Sequence, residues 1–285
     1  EYIDILAKAF KTDGAKELTI VWDPGNGSAA DITSALVKKL PGKHIIINDE
    51  IDGNFPNHHP DPSVAENVKE LIETVKQHDA DFGIAFDGDG DRIGAVDKSG
   101  RILFGDELMM LYSRDVLQRY QGATVIADVK ASQTLFDTIA EAGGKPVMWK
   151  TGHSLVKAKM KETGAKLAGE MSGHIFFADE YFGYDDGIYA AVRLVNMIAH
   201  SDKTLDGYMD EMPESFNTPE IRIEAADDRK FIIIDEIKAR LAKTNANVKD
   251  VDGVRITSDD GWWLARASNT QPAIVVRAEG KDETA

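Results

Sequence analysis

Asp81-Phe82-Gly83-Ile84-Ala85-Phe86, followed at once by Asp87-Gly88-Asp89-Gly90-Asp91-Arg92, is the stretch that orders the rest of this chain. Its first half is a short apolar run of the kind that forms a buried strand. Its second half sets three carboxylates at alternate positions with glycines between them. A strand ending in such a loop offers three hard oxygen ligands to Mg²⁺ or Ca²⁺. Without a cation the same carboxylates repel one another at close range. Arg92 adds a planar fork of donors suited to phosphate. Read only for composition, the loop is also an acidic, solvated turn, since Asp and Gly are ordinary turn residues. It is not an EF-hand. The sixth position of that template needs Gly and holds Arg92, and the twelfth needs Glu and holds Lys98.

On either side of this stretch strands and helices alternate. Upstream, Leu18–Trp22 reads as a strand, and Asp23-Pro24-Gly25-Asn26-Gly27-Ser28 as a turn opening a helix to about Leu40. A strand follows at His44–Asn48. Ser63 and Glu66 then form a capping box for a helix to about His78. Downstream, residues 92–96 and 101–104 read as a hairpin. A second round follows: helix from Asp106, strand 124–128, helix 132–142, strand 145–149, helix 153–161, short strands near 166–169 and 174–178, and helix 187–200. Alternation of this kind predicts α/β units with largely parallel sheets. Past the Pro-bearing segment Met212–Pro219 the order changes to strand, helix and three strands, an α+β pattern. The expected architecture is therefore α/β multidomain: two α/β domains, 1–104 and 105–212, then a smaller α+β domain, 213–285.

The bulk properties narrow the partners. The chain has 285 residues, 42% of them hydrophobic, which supports two or three cores. Formal net charge is −16, so nucleic acid is not an expected partner, because backbone phosphates demand basic patches. A phosphorylated small molecule remains compatible if cations gather locally in a cleft. No apolar run approaches a membrane span, and the amphipathic start Glu1-Tyr2-Ile3-Asp4-Ile5-Leu6 is no signal peptide. That start reads as mid-pattern, as if more chain preceded it. With no cysteine there are no disulfides and no thiolate ligands, in keeping with a cytoplasmic location.

Three more loops carry candidate chemistry. Gly169-Glu170-Met171-Ser172-Gly173-His174 gathers a carboxylate, a hydroxyl and an imidazole; Glu170 and Ser172 suit sugar hydroxyls, and His174 suits proton transfer. Arg266-Ala267-Ser268-Asn269-Thr270 brings a guanidinium, two hydroxyls and an amide together as a phosphate cradle. Lys130 and His153 stand at strand-to-helix turns, where open α/β sheets bind ligands. Each of these loops, taken singly, also reads as a plain polar turn.

Together and in order, these loops resemble the α-D-phosphohexomutases, in their bacterial phosphomannomutase/phosphoglucomutase branch. The resemblance rests on Asp-Pro-Gly-Asn-Gly at 23–27, Phe-Pro-Asn-His-His-Pro-Asp-Pro at 55–62, the loop at 87–92, Lys-Thr-Gly-His-Ser at 150–154, and the loops at 169–174 and 266–270. Met171 stands where the related phosphoglucosamine mutases usually have Gln. The likeness spans the second, third and most of the fourth of the family's four domains. The first domain bears a phosphorylated serine in a Thr-x-Ser-His-Asn-Pro-like motif, and no Ser-His-Asn-Pro occurs in this sequence.

The resemblance implies a mutase that interconverts hexose 1-phosphate and hexose 6-phosphate, of mannose or glucose, through a 1,6-bisphosphate. Asp87, Asp89 and Asp91 would hold Mg²⁺. Arg92, Lys130, His153 and His174 would serve catalysis, Glu170 and Ser172 would hold the sugar, and Arg266, Ser268, Asn269 and Thr270 would grip the non-reacting phosphate. The implied partners are hexose phosphates and the serine domain, without which this chain alone is expected to be inactive. Two other readings stand beside it: a non-catalytic module binding sugar phosphate and Mg²⁺, and a phosphotransferase of the haloacid-dehalogenase type, whose strand also ends in Asp-x-Asp.

Overall fold

Strand Phe82–Phe86 is buried at every residue because its sheet is covered on both faces. Phe82, Ile84 and Phe86 point into one core with Trp22 and Tyr189. Ala85, between them, joins Val21, Val96, Leu71 and Val75 on the opposite side. That is the period of two that a strand imposes. Gly83 also faces the second side, where an added Cβ would lie 2.7 Å from the Leu71 side chain.

The computed structural model describes residues 1–284 and places them in three sheets. In the first, Thr19–Asp23 runs parallel to both Phe82–Phe86 and Lys43–Ile46. Ile93–Asp97 returns antiparallel to Phe82–Phe86, and Ile102–Leu103 follows it. In the second, Thr124–Asp128 lies parallel to Lys145–Trp149 and to Leu167–Gly169, and Ile175–Phe177 returns antiparallel. The two sheets share one plan that no sequence repeat revealed.

The parallel expectation holds for the strands joined through helices, and each of these two sheets ends in antiparallel returns. After Phe86 and after Gly169 the chain turns in a short loop, and a short loop can only bring the next strand back antiparallel. Those two hairpin loops are the acidic loop and the Glu170–His174 loop. They meet, since Ile93 N donates to Gly173 O at 3.1 Å, and Arg92 and His174 form an isolated β-bridge.

The third sheet is antiparallel. Ala273–Gly280 sits beside Gly261–Ala267 on one edge and Phe216–Asn217 and Ile221–Glu224 on the other. Val254–Thr257 and Asn247–Lys249 complete it. Helix Asp227–Leu241 covers one face, packing Ile234 on Val254, Ala265, Ala267 and Ile274.

Helix Gly187–Ala199 ties the first two sheets together. Its Ile188, Tyr189, Val192 and Val195 lie in one continuous core cluster with Trp22, Phe86, Leu108 and Phe177. The amphipathic start of the chain is helix Tyr2–Ala9, whose Leu6 enters the same cluster. The capping box at Ser63 does not form. Ser63 N and Oγ both donate to Asp61 Oδ1, and the α-helix begins at Lys69 after a 3₁₀ turn, Ala65–Val68. A nearby carboxylate has taken the groups a cap would use. Among the described residues no helix is long and apolar enough to cross a membrane.

Candidate active site

The acidic loop is built against the neighbouring turn. Ser28 N donates to Gly88 O at 2.9 Å, and a Cβ on Gly27 would lie 2.5 Å from that oxygen. Glycine is therefore what lets the 23–28 turn press on the loop. Gly90 turns the loop at φ +81°. The outcome is that Asp87, Asp89 and Asp91 each bring a carboxylate oxygen within 4.8 Å of the others. Burial and the adjacent Asp87 charge push the Asp89 carboxyl above its ordinary value. Crowded carboxylates repel one another, and an Mg²⁺ would relieve them. The donor set is all oxygen, which fits that ion. Mg²⁺ titrated into the chain is expected to bind in one saturable phase. Asp89→Asn is expected to weaken it at least about 10-fold by calorimetry; an unchanged isotherm would reject the loop as the site.

Arg92 is held by two carboxylates. Its Nε donates to Asp87 Oδ2 at 2.6 Å, and its Nη1 lies 3.3 Å from Asp61 Oδ1. Asp61 belongs to the 55–62 loop, whose Phe55 and Pro60 pack on Gly88. The same loop carries His58, whose Nε2 lies 2.9 Å from the fully buried Asp23 carboxylate. That hydrogen bond outweighs burial and raises the His58 pKa from 6.5 to about 9. A raised histidine stabilises the fold fully below its unfolded value and loses that contribution as pH climbs through about 9. The melting temperature of the native chain is therefore expected to converge on that of His58→Gln between pH 6.5 and 9. Parallel curves across that window would rule the pair out as a stabilising one.

His174 joins the two hairpin loops. Its Nε2 lies 3.3 Å from Asp91 Oδ1 and its Nδ1 2.9 Å from Glu170 Oε2. Burial opposes its charge, but the bonds to Asp91 and Glu170 prevail and hold its pKa at about 9. Ser172 Oγ is 3.0 Å from the same Nδ1. Glu170 is 2% exposed and accepts from Gly152 N, which fixes the 150–154 loop beside it. His153 stacks 6.0 Å from His174, with its Nδ1 3.0 Å from Asp185 Oδ2, and Lys157 Nζ donates to Asp185 Oδ1 at 2.8 Å.

The third sheet adds the 266–270 loop, the candidate phosphate cradle. Arg266 is 4% exposed; its Nε donates to Asp252 Oδ2 at 3.0 Å, and its Nη2 is buried without a partner. Asp252 Oδ2 also accepts from Thr151 N at 3.0 Å, so one carboxylate links the 150–154 loop to Arg266. Ser268 Oγ accepts from Gln271 N at 3.2 Å and shapes the turn, leaving Asn269 and Thr270 exposed. Lys130, 6% exposed, donates to Glu220 Oε2 at 3.0 Å and sits 3.9 Å from Asp128. Asp128 is fully buried, accepts from Thr151 Oγ1 at 3.0 Å, and is pushed up to about 6 by burial.

The acidic loop, His174, Glu170, the 150–154 loop, Asp252 and Arg266 thus fall along one bonded path, while Lys130 pairs with Glu220, the His153 side chain with Asp185, and Asn269 and Thr270 stay exposed off it. Sequence reasoning missed Asp61, Asp128, Lys157, Asp185, Glu220 and Asp252. Single acidic or basic residues carry no spacing signal; their partners lie as far as 101 residues away, as for Thr151 and Asp252.

Models of the phosphoglucomutase/phosphomannomutase family match in succession: alpha/beta/alpha domain II at 1–100, alpha/beta/alpha domain III at 104–216 and the C-terminal domain at 220–285. The chain belongs to the phosphoglucomutase/phosphomannomutase family. It is 47% identical to a phosphomannomutase/phosphoglucomutase of Pseudomonas aeruginosa over 99% of its own length and 62% of that protein's. A phosphoglucomutase of Neisseria gonorrhoeae is 44% identical over 95% of the chain and 59% of the relative. Among solved structures, a phosphoglucomutase/phosphomannomutase family protein of Burkholderia thailandensis superposes with TM-score 0.91 at 42% identity, covering 99% of this chain and 60% of that one. The chain thus spans 62% of the Pseudomonas aeruginosa relative's length. Membership of the family sets aside the haloacid-dehalogenase reading.

Proposed function

We propose that this chain supplies the metal-binding, sugar-binding and phosphate-binding parts of a hexose-phosphate mutase. The full-length protein then interconverts the 1- and 6-phosphates of glucose and mannose. The carrying observation is His174, which bonds Asp91 on one side and Glu170 on the other and so joins the acidic loop to the sugar loop. The names of the relatives at 44–47% identity support the same reaction.

In this reading a phosphoserine outside these 285 residues donates its phosphoryl group to the free hydroxyl of the sugar phosphate. The serine oxygen–phosphorus bond breaks, a sugar oxygen–phosphorus bond forms, and the hydroxyl proton leaves to a base. The product is a hexose 1,6-bisphosphate, which returns its other phosphoryl group to the serine. Asp87, Asp89 and Asp91 would hold Mg²⁺, which would supply positive charge against the transferring group. Arg92, oriented by Asp87 and Asp61, presents its remaining donors to the same group. His174, held protonated up to about pH 9, adds positive charge beside it. Lys130 and His153 balance charge or move protons along the cleft. Glu170 and Ser172 orient the sugar, and Arg266, Ser268, Asn269 and Thr270 hold the non-reacting phosphate.

The buried, unpartnered Nη2 of Arg266 is a donor without an acceptor, and a phosphate oxygen would satisfy it. Glucose 1-phosphate is therefore expected to bind the chain, and Arg266→Ala to weaken it by about 1.5–3 kcal/mol, the usual cost of a charge-assisted bond. Calorimetry showing equal affinity for both proteins would refute the phosphate site.

A further inference from the structure

The turn that carries Lys130 is closed locally by Ala131 N donating to Asp128 O at 3.1 Å, but its carbonyls are held from another unit. Val129 O and Ala131 O both accept from Arg255 Nη1, at 2.8 and 2.7 Å. Lys130 O accepts from Arg277 Nη1. Gln133 N donates to Glu279 Oε1 at 3.1 Å. Ser132 N is served from nearer in sequence, by Asp106 Oδ2 at 3.1 Å. Backbone groups of five consecutive residues, 129–133, thus end on side chains, and four of the five on strands of the C-terminal sheet.

Those strands present the clamp as one row. Arg255 pairs with Leu264 and Leu264 with Arg277, so all three side chains share a face. Trp262 and Arg266 lie two residues either side of Leu264 and share that face too. The opposite face is the one covered by helix Asp227–Leu241. The Arg255 guanidinium lies 3.6 Å from the centre of the Trp262 ring, and Trp262 Nε1 donates to Glu279 at 2.9 Å. Arg255 is 1% exposed and Arg277 5%, and both keep a buried Nε without a partner. Burial draws the Arg255 pKa down to about 10. Two buried cations with incomplete hydrogen bonding are costly. A sheet that needed only to pack would hold apolar side chains there.

We propose that Arg255 and Arg277 are positioning residues for Lys130: they grip the 129–131 carbonyls and make the C-terminal phosphate loop and the Lys130 ammonium one mechanical unit. The inference rests on the mutase reading only for what Lys130 does. Because Arg266 shares the clamp's face, any reorientation of this sheet around a bound phosphate moves the Lys130 turn with it.

A double-mutant cycle on the full-length protein tests this, with mutase kinetics on glucose 1-phosphate and thermal unfolding of every variant. Arg255→Lys keeps a cation but loses the two-carbonyl fork and most of the stack. It is expected to lower kcat about 10- to 100-fold with little change in KM, the cost of misplacing a reacting group by about 1 Å. In a Lys130→Met background the same substitution is expected to cost under about threefold, since residues acting through one another are not additive. Equal losses in both backgrounds would overturn the inference and leave the mutase reading standing. A Lys130→Met protein with undiminished kcat would instead remove Lys130 from the mechanism, and the inference with it. If Arg255→Lys does not fold, Trp262→Phe, which narrows the platform under Arg255, carries the same cycle with the same outcomes.

Discussion

Supplied with glucose 1-phosphate, glucose 1,6-bisphosphate and Mg²⁺, the 285-residue chain is expected to show no mutase turnover. Covalent phosphoryl transfer needs a nucleophile that is both free and adjacent to the metal loop. No Ser-His-Asn-Pro occurs in the sequence, and the two serines among the candidate residues are already hydrogen-bonded. Ser172 Oγ lies against His174 Nδ1 at 3.0 Å, and Ser268 Oγ accepts from Gln271 N at 3.2 Å. Charge complementarity alone orients a phosphate but does not carry one between oxygens. A coupled assay decides the matter, and turnover of even about 1 s⁻¹, the low end for ordinary enzymes, would disprove it. Binding of the same sugar phosphates is expected to survive, because Glu170 and Arg266 are fixed within these residues.

The largest effect on stability is expected at Arg193, far from any motif. Its side chain is 4% exposed and grips Asp179 with both nitrogens, Nη1 at 2.9 Å and Nη2 at 3.0 Å. Nη2 also reaches Asp115 at 2.7 Å, and the guanidinium sits 4.3 Å over the Phe177 ring. Burial would raise the Asp179 carboxyl, but the Arg193 bonds hold it below its ordinary value. Arg193→Met leaves that buried carboxylate with Arg119 as its remaining guanidinium partner. The expected loss is about 3–5 kcal/mol, the cost of breaking a buried pair from one side, read from the denaturant midpoint. Arg193→Met combined with Asp179→Leu is expected to recover part of it, since removing both charges removes the orphan. A single-variant loss under about 1 kcal/mol would show that Arg119 satisfies Asp179 by itself. The damage should reach the metal loop as well, because helix Gly187–Ala199 packs in the core shared by the first two sheets.

Much of the site was legible as short-range pattern. Asp87, Asp89 and Asp91 stood out because candidate metal ligands on one tight loop are near neighbours in sequence, and the structure brings their oxygens within 4.8 Å of one another. The apolar run 82–86 announced a fully buried strand, and the strand–helix alternation announced α/β units, because both are periodic properties of local backbone geometry. Nothing comparable marks Asp252, Asp128 or Glu220. Each is one acidic residue among 49 in an acidic chain, and it becomes meaningful only beside Arg266, Thr151 or Lys130.

By itself, then, the sequence determined the order of the main elements, the residue types of the candidate site and the family to which the chain belongs. The tertiary structure alone decided the antiparallel returns after Phe86 and Gly169, the pairing of His174 with both Asp91 and Glu170, and the grip of the C-terminal sheet on the Lys130 turn. The physical reason is range. Propensity, turn chemistry and spacing act over a few residues and are written locally. A buried ion pair or a carbonyl held by an arginine more than 120 residues away depends on how whole sheets pack, as between Val129 and Arg255. That information is spread over every residue of the core and concentrated in none.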